Sequence, residues 1–173
     1  MNPDLTTSIE ILSKTPSIIK TLTENLSDDL IYKNEGGDTW CVYDVVGHLI
    51  RGEKTDWIPR MNIILSDKSD KSFETFDRFA QFQETNKSFP ELLDEFSELR
   101  KKNLQILSSK NLTTSDFQKN GIHPEFGEVT LAQLISTWTV HDLNHLSQIS
   151  RIIAKQYDQA VGPWKAYLRI LQS

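Results

Sequence analysis

Apolar residues recur at helical spacing in four long stretches of the chain. Leu5, Ile9 and Leu12 open the first. Thr15-Pro16 then reads as an N-cap followed by proline at a first helical position, and Ile18, Ile19, Leu22 and Leu26 carry the stripe to about Ser27. KNEGGD at 33–38 predicts a turn. A second helix is expected from near Thr39 to Leu65, carrying Val42, Val45, Val46, Leu49 and Ile50, with a kink or break at Pro59. Between 66 and 87, SDKSDKS is loop, and FETFDRFAQFQ is either a short helix or an ordered strap. Ser88-Phe89-Pro90-Glu91 is a capping box opening a third helix, with Leu92, Leu93, Phe96, Leu99, Ile106 and Leu107 on one side. A long connection over 110–129 contains GIHPEFGE, and loops of that length in a compact domain are often functional. Thr130-x-x-Gln133 is a second capping box, opening a fourth helix to about Gln156. Gly162-Pro163 closes that region, leaving WKAYLRIL as a short amphipathic tail.

With 7 Gly and 6 Pro, no repeat and no linker, punctuation is sparse and the elements are long. The pattern predicts an all-α chain, a four-helix bundle with short extra helices, forming a single domain over residues 1–173. The long connections leave open which helices are neighbours.

Net charge is −5 and no basic stripe occurs, which argues against nucleic acid or an anionic membrane surface as partner. One cysteine, Cys41, excludes an internal disulfide and a cysteine-based metal site, and fits a reducing compartment. MNPDLTTSIEILSK has no basic region followed by an apolar run, and no apolar run approaches the ~20 residues that span a bilayer. A cytoplasmic protein with a small-molecule partner is expected.

Chemistry concentrates in the histidines, of which there are 4. His141 and His145 lie one turn apart on the face shared by Leu134, Trp138 and Ile149, and His48 lies on an apolar-periodic stretch elsewhere. Inward imidazoles need hydrogen-bond partners or a metal, because an unsatisfied buried polar group costs ~1–3 kcal/mol. The pattern leaves both readings open. If the helix of His48 packs on that of the pair, the three form a catalytic-type centre with a vacant position. Asp44, one turn before His48, is either a partner for its second ring nitrogen or a helix-surface carboxylate. Gly52, one turn after, leaves room for a ligand or for close packing. Asp142 is a candidate base, a supporting carboxylate or a surface residue, and HDLNH is not the HExxH motif of metalloproteases. His123, beside Pro124 in the long connection, is placed to hang over the vacant position or to serve only as a turn residue. Trp138 is expected to line the site.

Several segments together resemble the DinB-like superfamily of bacterial metal-binding bundles: TP near residue 15, W-x7-HL from Trp40 to Leu49, FDRFA at 76–80, HPEFGEVTLAQLISTWTVHDLNHLSQISR at 123–151 and VGPWKAYLRIL at 161–171. The resemblance implies His48, His141 and His145 as ligands of a divalent ion, zinc or nickel, with water in the open position. It implies a left-handed bundle with up-down-down-up connections, often a homodimer. It also implies either metal-dependent hydrolysis or thiol transfer using a low-molecular-weight thiol. Arg51, Arg60, Arg78 and Arg151 are candidates to meet such a thiol's carboxylates. A non-catalytic metal- or ligand-binding bundle, or a dimeric scaffold, is the alternative.

Overall fold

A computed structural model describes residues 4–77, 79, 82 and 87–172. Its helices are α1 (Leu5–Thr23), α2 (Asp28–Tyr32), α3 (Val42–Thr55), α4 (Trp57–Leu65), α5 (Phe89–Ser109) and α6 (Leu131–Lys155). Both capping boxes stand where the sequence puts them. The Ser88 N–H donates to Glu91 Oε2 at 2.7 Å. The Thr130 N–H donates to Gln133 Oε1 at 2.8 Å, and the Gln133 N–H returns to Thr130 Oγ1. The second helix does break ahead of Pro59. Proline lacks the N–H that would bind the carbonyl of Thr55, and α3 accordingly ends there, with Asp56 joining it to α4.

Pro16 behaves otherwise. Thr15 is not an N-cap, and α1 runs through the proline without a break. The missing N–H frees the carbonyl of Leu12, and the Arg100 guanidinium from α5 donates to it at 2.8 Å. A partner from across the bundle replaces the lost helical bond.

Four long rods, α1, α3–α4, α5 and α6, form the bundle. α5 packs on α1 and α3, and α6 packs on the same two helices, so α1 faces α3 across the bundle and α5 faces α6. The connections α1-to-α3 and α5-to-α6 therefore cross diagonally, which long links permit. The core falls into two apolar clusters. One holds Ile19, Val45, Leu49, Phe96 and Ile149, and the other Leu12, Met61, Leu107, Leu134 and Trp138. Between them lies a layer of buried polar side chains: Glu53 of α3, Arg100 and Asn103 of α5, and Asp142 of α6.

The 110–129 connection is more ordered than the expected loop. It contains a 3-10 turn, Asp116–Gln118, and a hairpin of β1 (Asn120–His123) on β2 (Gly127–Thr130). Residues 71–73 are extended beside it. The Phe73 N–H donates to the Ile122 carbonyl at 2.8 Å and the Ile122 N–H to that of Lys71 at 2.9 Å, so the expected loop ends in an ordered edge. Of FETFDRFAQFQ, read as short helix or strap, residues 78, 80, 81 and 83 lie outside the described residues. Gly121 is required by packing: an added Cβ would meet Phe73 Cε1 at 2.4 Å and Ile64 Cγ1 at 2.9 Å. Gly121→Ala is expected to cost about 1–3 kcal/mol, read as a lower denaturant midpoint, because the hairpin cannot seat without moving Phe73.

Candidate metal centre

His48 projects from α3, and His141 and His145 from adjacent turns of α6. Helix packing brings their ring edges together. His141 Nε2 lies 3.0 Å from His48 Nε2 and 3.1 Å from His145 Nε2. All three candidate ligand atoms lie within 4.8 Å of one another. A tetrahedral zinc site with Zn–N bonds of about 2.0–2.1 Å separates its nitrogens by ~3.3 Å, close to the two short approaches. His145 Nδ1 meets Gln148 Oε1 at 2.7 Å. The amide oxygen accepts, so Nδ1 carries the proton and Nε2 presents its lone pair to the other two rings. Trp40 packs against His48 with ring centroids 4.9 Å apart, and Trp57 meets His141 edge-on at 5.2 Å. A donor set of three imidazoles, one with its tautomer set from outside, fits a divalent ion.

These histidines wall a cavity of about 480 Å³. Trp40, Gly52, Trp57 and Phe76 lie beside them, while Asp56, Arg60, Phe73 and the hairpin turn from His123 to Phe126 close the remaining sides. Gly52 borders the cavity and also packs closely, since a Cβ there would meet Trp57 Nε1 at 3.1 Å; His123 borders the cavity too. Trp138 does not. It sits one layer behind, stacked on Trp57 at 5.6 Å with Nε1–H donating to Glu53 Oε1 at 3.1 Å. Of this stacked pair, Trp57 is the indole that faces the space.

Neither candidate carboxylate borders it. Asp44 is the third residue of α3, where its Oδ2 accepts from the Cys41 N–H at 2.9 Å and from the thiol at 3.0 Å. It caps the helix. Burial, followed by Asp44, pushes the Cys41 thiol up to about 11, so this cysteine stays protonated. Asp142 is fully buried on the far side of His141 and takes two guanidinium bonds from Arg100, to Oδ2 at 2.5 Å and Oδ1 at 3.0 Å. Among the four arginines, Arg60 borders the cavity, ion-paired to Asp56 at 2.5 Å. Arg151 is paired to Glu35 at 2.9 Å, Arg51 does not line the space, and Arg78 lies outside the described residues.

The sequence reading missed the layer beneath the histidines. Arg100 spends all five of its N–H groups there: Nε and one Nη2 proton on Glu53, one Nη1 and one Nη2 proton on Asp142, and the last on the Leu12 carbonyl. Asn103 donates to Glu53 Oε2 at 2.9 Å. Two carboxylates share one guanidinium, and burial pushes the Glu53 carboxyl above its ordinary range. The signal was present as charge at core spacing: Glu53 is four residues after Leu49, Arg100 four after Phe96, and Asp142 four after Trp138.

Burial, then the two neighbouring imidazoles and Arg100, hold His141 far below its ordinary 6.5, at about 2. His145 is lowered too, chiefly by burial. An unfolded chain protonates these rings near 6.5 while the metal-free fold does not, so below that value the unfolded state binds more protons and stability falls as pH falls. Asp56, pushed up to about 6 by burial, works in the opposite sense. Between about pH 7.5 and 5.5 the denaturant midpoint of metal-free protein should therefore drop more than that of a His141→Gln variant, with a limit of about 1.4 kcal/mol per pH unit for each histidine.

Among the described residues, no helix is long and apolar enough to cross a membrane. A comparison with curated proteins finds no match. Among solved structures, the chain is similar to YfiT from Bacillus subtilis, a probable metal-dependent hydrolase with an unusual four-helix bundle topology. The TM-score is 0.73 and the identity 20%, over 87% of this chain and 86% of that one. This likeness shows the fold. The three-histidine cluster and these comparisons together support a metal-binding protein. The profile of the DinB superfamily matches residues 11–149, most of the chain, and this protein belongs to that superfamily.

Proposed function

We propose that this protein is a metal-dependent enzyme acting on a small molecule, with the ion held by His48, His141 and His145. One observation carries the reading: three imidazole Nε2 atoms converge at the wall of a cavity of about 480 Å³, large enough for a small substrate. Three protein ligands leave a position open, as catalytic sites do, and an all-imidazole set suits zinc or nickel. A divalent ion so held supplies Lewis acidity, enough to ionise water or a thiol near neutral pH. The chain's own residues set the rest. Gln148 fixes the His145 tautomer, Trp40 and Trp57 pack against the His48 and His141 rings, and Gly52, where a Cβ would meet Trp57 Nε1 at 3.1 Å, lets that indole sit close to α3. Both hydrolysis and thiol transfer fit this arrangement. The likeness to YfiT supports the first.

The test is elemental analysis of untagged protein purified without added metal or chelator, followed by visible spectroscopy of a cobalt-substituted sample with azide. About one ion per chain whose spectrum shifts with azide establishes an exchangeable position, and ester, amide and thiol-transfer substrates then decide the reaction. A cobalt spectrum blind to azide, with folding lost on chelation, would mark a structural ion and sink the catalytic reading.

A further inference from the structure

His123 sits at the tip of the hairpin, on the cavity wall. Its ring is unusually constrained for a turn residue. Nδ1 accepts from the backbone N–H groups of Glu125 and Phe126, at 3.2 and 3.3 Å. An imidazole nitrogen that accepts cannot also carry the proton, so the neutral ring bears it on Nε2. Phe126 stacks on the ring at 4.5 Å and Phe73 meets it edge-on at 6.4 Å. Among the described residues, no acceptor is paired with Nε2. Burial, and then Arg60, keep the ring below its ordinary protonation range, which favours the neutral form. The hairpin itself is anchored, since residues 71–73 pair with β1 and Gly121 packs directly on Phe73. The donor is therefore held ready before any ligand arrives.

The charges near it select among acceptors. Arg60 is already balanced by Asp56, and Glu125 adds a further carboxylate to the same wall. Apart from the ion itself, a ligand carboxylate at this wall would meet two side-chain carboxylates against one guanidinium. A neutral oxygen, such as the carbonyl of an amide or ester, takes the Nε2 proton without that cost. The aromatic walls suit an apolar body between this oxygen and the histidine cluster.

Resting on the functional reading above, we propose that His123 Nε2–H is a hydrogen-bond donor for a neutral carbonyl of the substrate, which makes the substrate class apolar amides or esters. The donor belongs to a residue that lines the same cavity as the three histidines but lies outside the ligand set.

Two hydroxamic acids test this. N-benzoylglycine hydroxamate carries an amide carbonyl next to its ring; phenylbutanehydroxamate replaces that amide with methylenes. Binding of each to zinc-loaded protein is measured by calorimetry for the native chain, His123→Phe and His123→Gln, with metal content determined in parallel. The native protein should favour the amide compound, relative to His123→Phe, by roughly fivefold, the worth of one hydrogen bond. Glutamine, which retains a donor, should restore part of the ratio. Nitrogen-15 spectra of the ring should place the proton on Nε2. An unchanged ratio across the three chains, with metal retained and both compounds bound, would overturn the role of His123 and leave the metal centre standing. A native chain that takes up no metal would overturn both.

Discussion

The His141→Ala variant is expected to lose its metal and keep its fold. His141 Nε2 is the shared member of both short approaches in the cluster, so its removal leaves His48 and His145 without the ring that joins them. Changing a residue that merely supports a ligand costs about 10–100-fold in metal affinity, and loss of the ligand itself should exceed that. The fold does not depend on this ring. α6 is held by Leu131, Leu134, Ile135, Trp138, Ile149 and Ile152, all buried. The variant also removes an imidazole that the fold keeps neutral at the cost of burial. Its circular dichroism should match the native chain while its metal content falls from about one ion to near zero. Stoichiometric metal in a folded His141→Ala protein would remove the three-histidine assignment.

What could be read from the sequence was local or periodic. The capping boxes at Ser88 and Thr130 are written within four residues, and the i,i+4 spacing of His141 and His145 places two rings on one face whatever the rest of the chain does. The approach of His48 depends on α3 lying against α6, which its apolar face permits but does not demand. The continuity of α1 was not legible at all. Thr15-Pro16 carries every local sign of a helix start, and the partner that overrides it, Arg100, is 88 residues from Leu12 in sequence. The hairpin was hidden for a different reason. Its strands are four residues each, too short for alternation to rise above noise, and β1 is fixed by pairing with residues 71–73. Asp142 was read for chemistry because it adjoins His141. Successive residues of a helix point about 100° apart, so a neighbour of an inward ligand faces elsewhere. The carboxylates that border the cavity are Asp56, on the stripe His48–Gly52–Asp56, and Glu125 at the hairpin turn.

Arg100→Met should be the most destabilising single change in this chain. The guanidinium is 1% exposed and ties Glu53 of α3, Asp142 of α6 and the Leu12 carbonyl of α1 to α5, so all four rods of the bundle meet at one side chain. Methionine fills much of the volume but leaves two carboxylates buried without a counter-charge, and a carbonyl without its donor. Breaking such a pair costs about 3–5 kcal/mol, a large part of the 5–15 kcal/mol typical of a domain. The loss should come from stranded charge rather than from missing contacts, and that separates it from ordinary core damage. The Glu53→Gln, Arg100→Met, Asp142→Asn triple variant carries more changes, yet leaves no charge in the layer. It also keeps an oxygen at residue 53 for Trp138 Nε1–H, while Asn103, which donates to the other carboxylate oxygen, keeps its bond to the main-chain carbonyl of residue 53. It should therefore be more stable than Arg100→Met alone, the reverse of what independent, additive costs predict. Denaturant midpoints of the native, single and triple chains decide the matter. A triple variant less stable than the single would mean that the layer acts through its hydrogen-bond geometry and packing, with charge compensation secondary. In either case the histidines sit on helices whose spacing this layer sets. Glu53 follows His48 by five residues and Asp142 follows His141 by one, so a loosened layer should widen the approach of the three rings as well as lower stability.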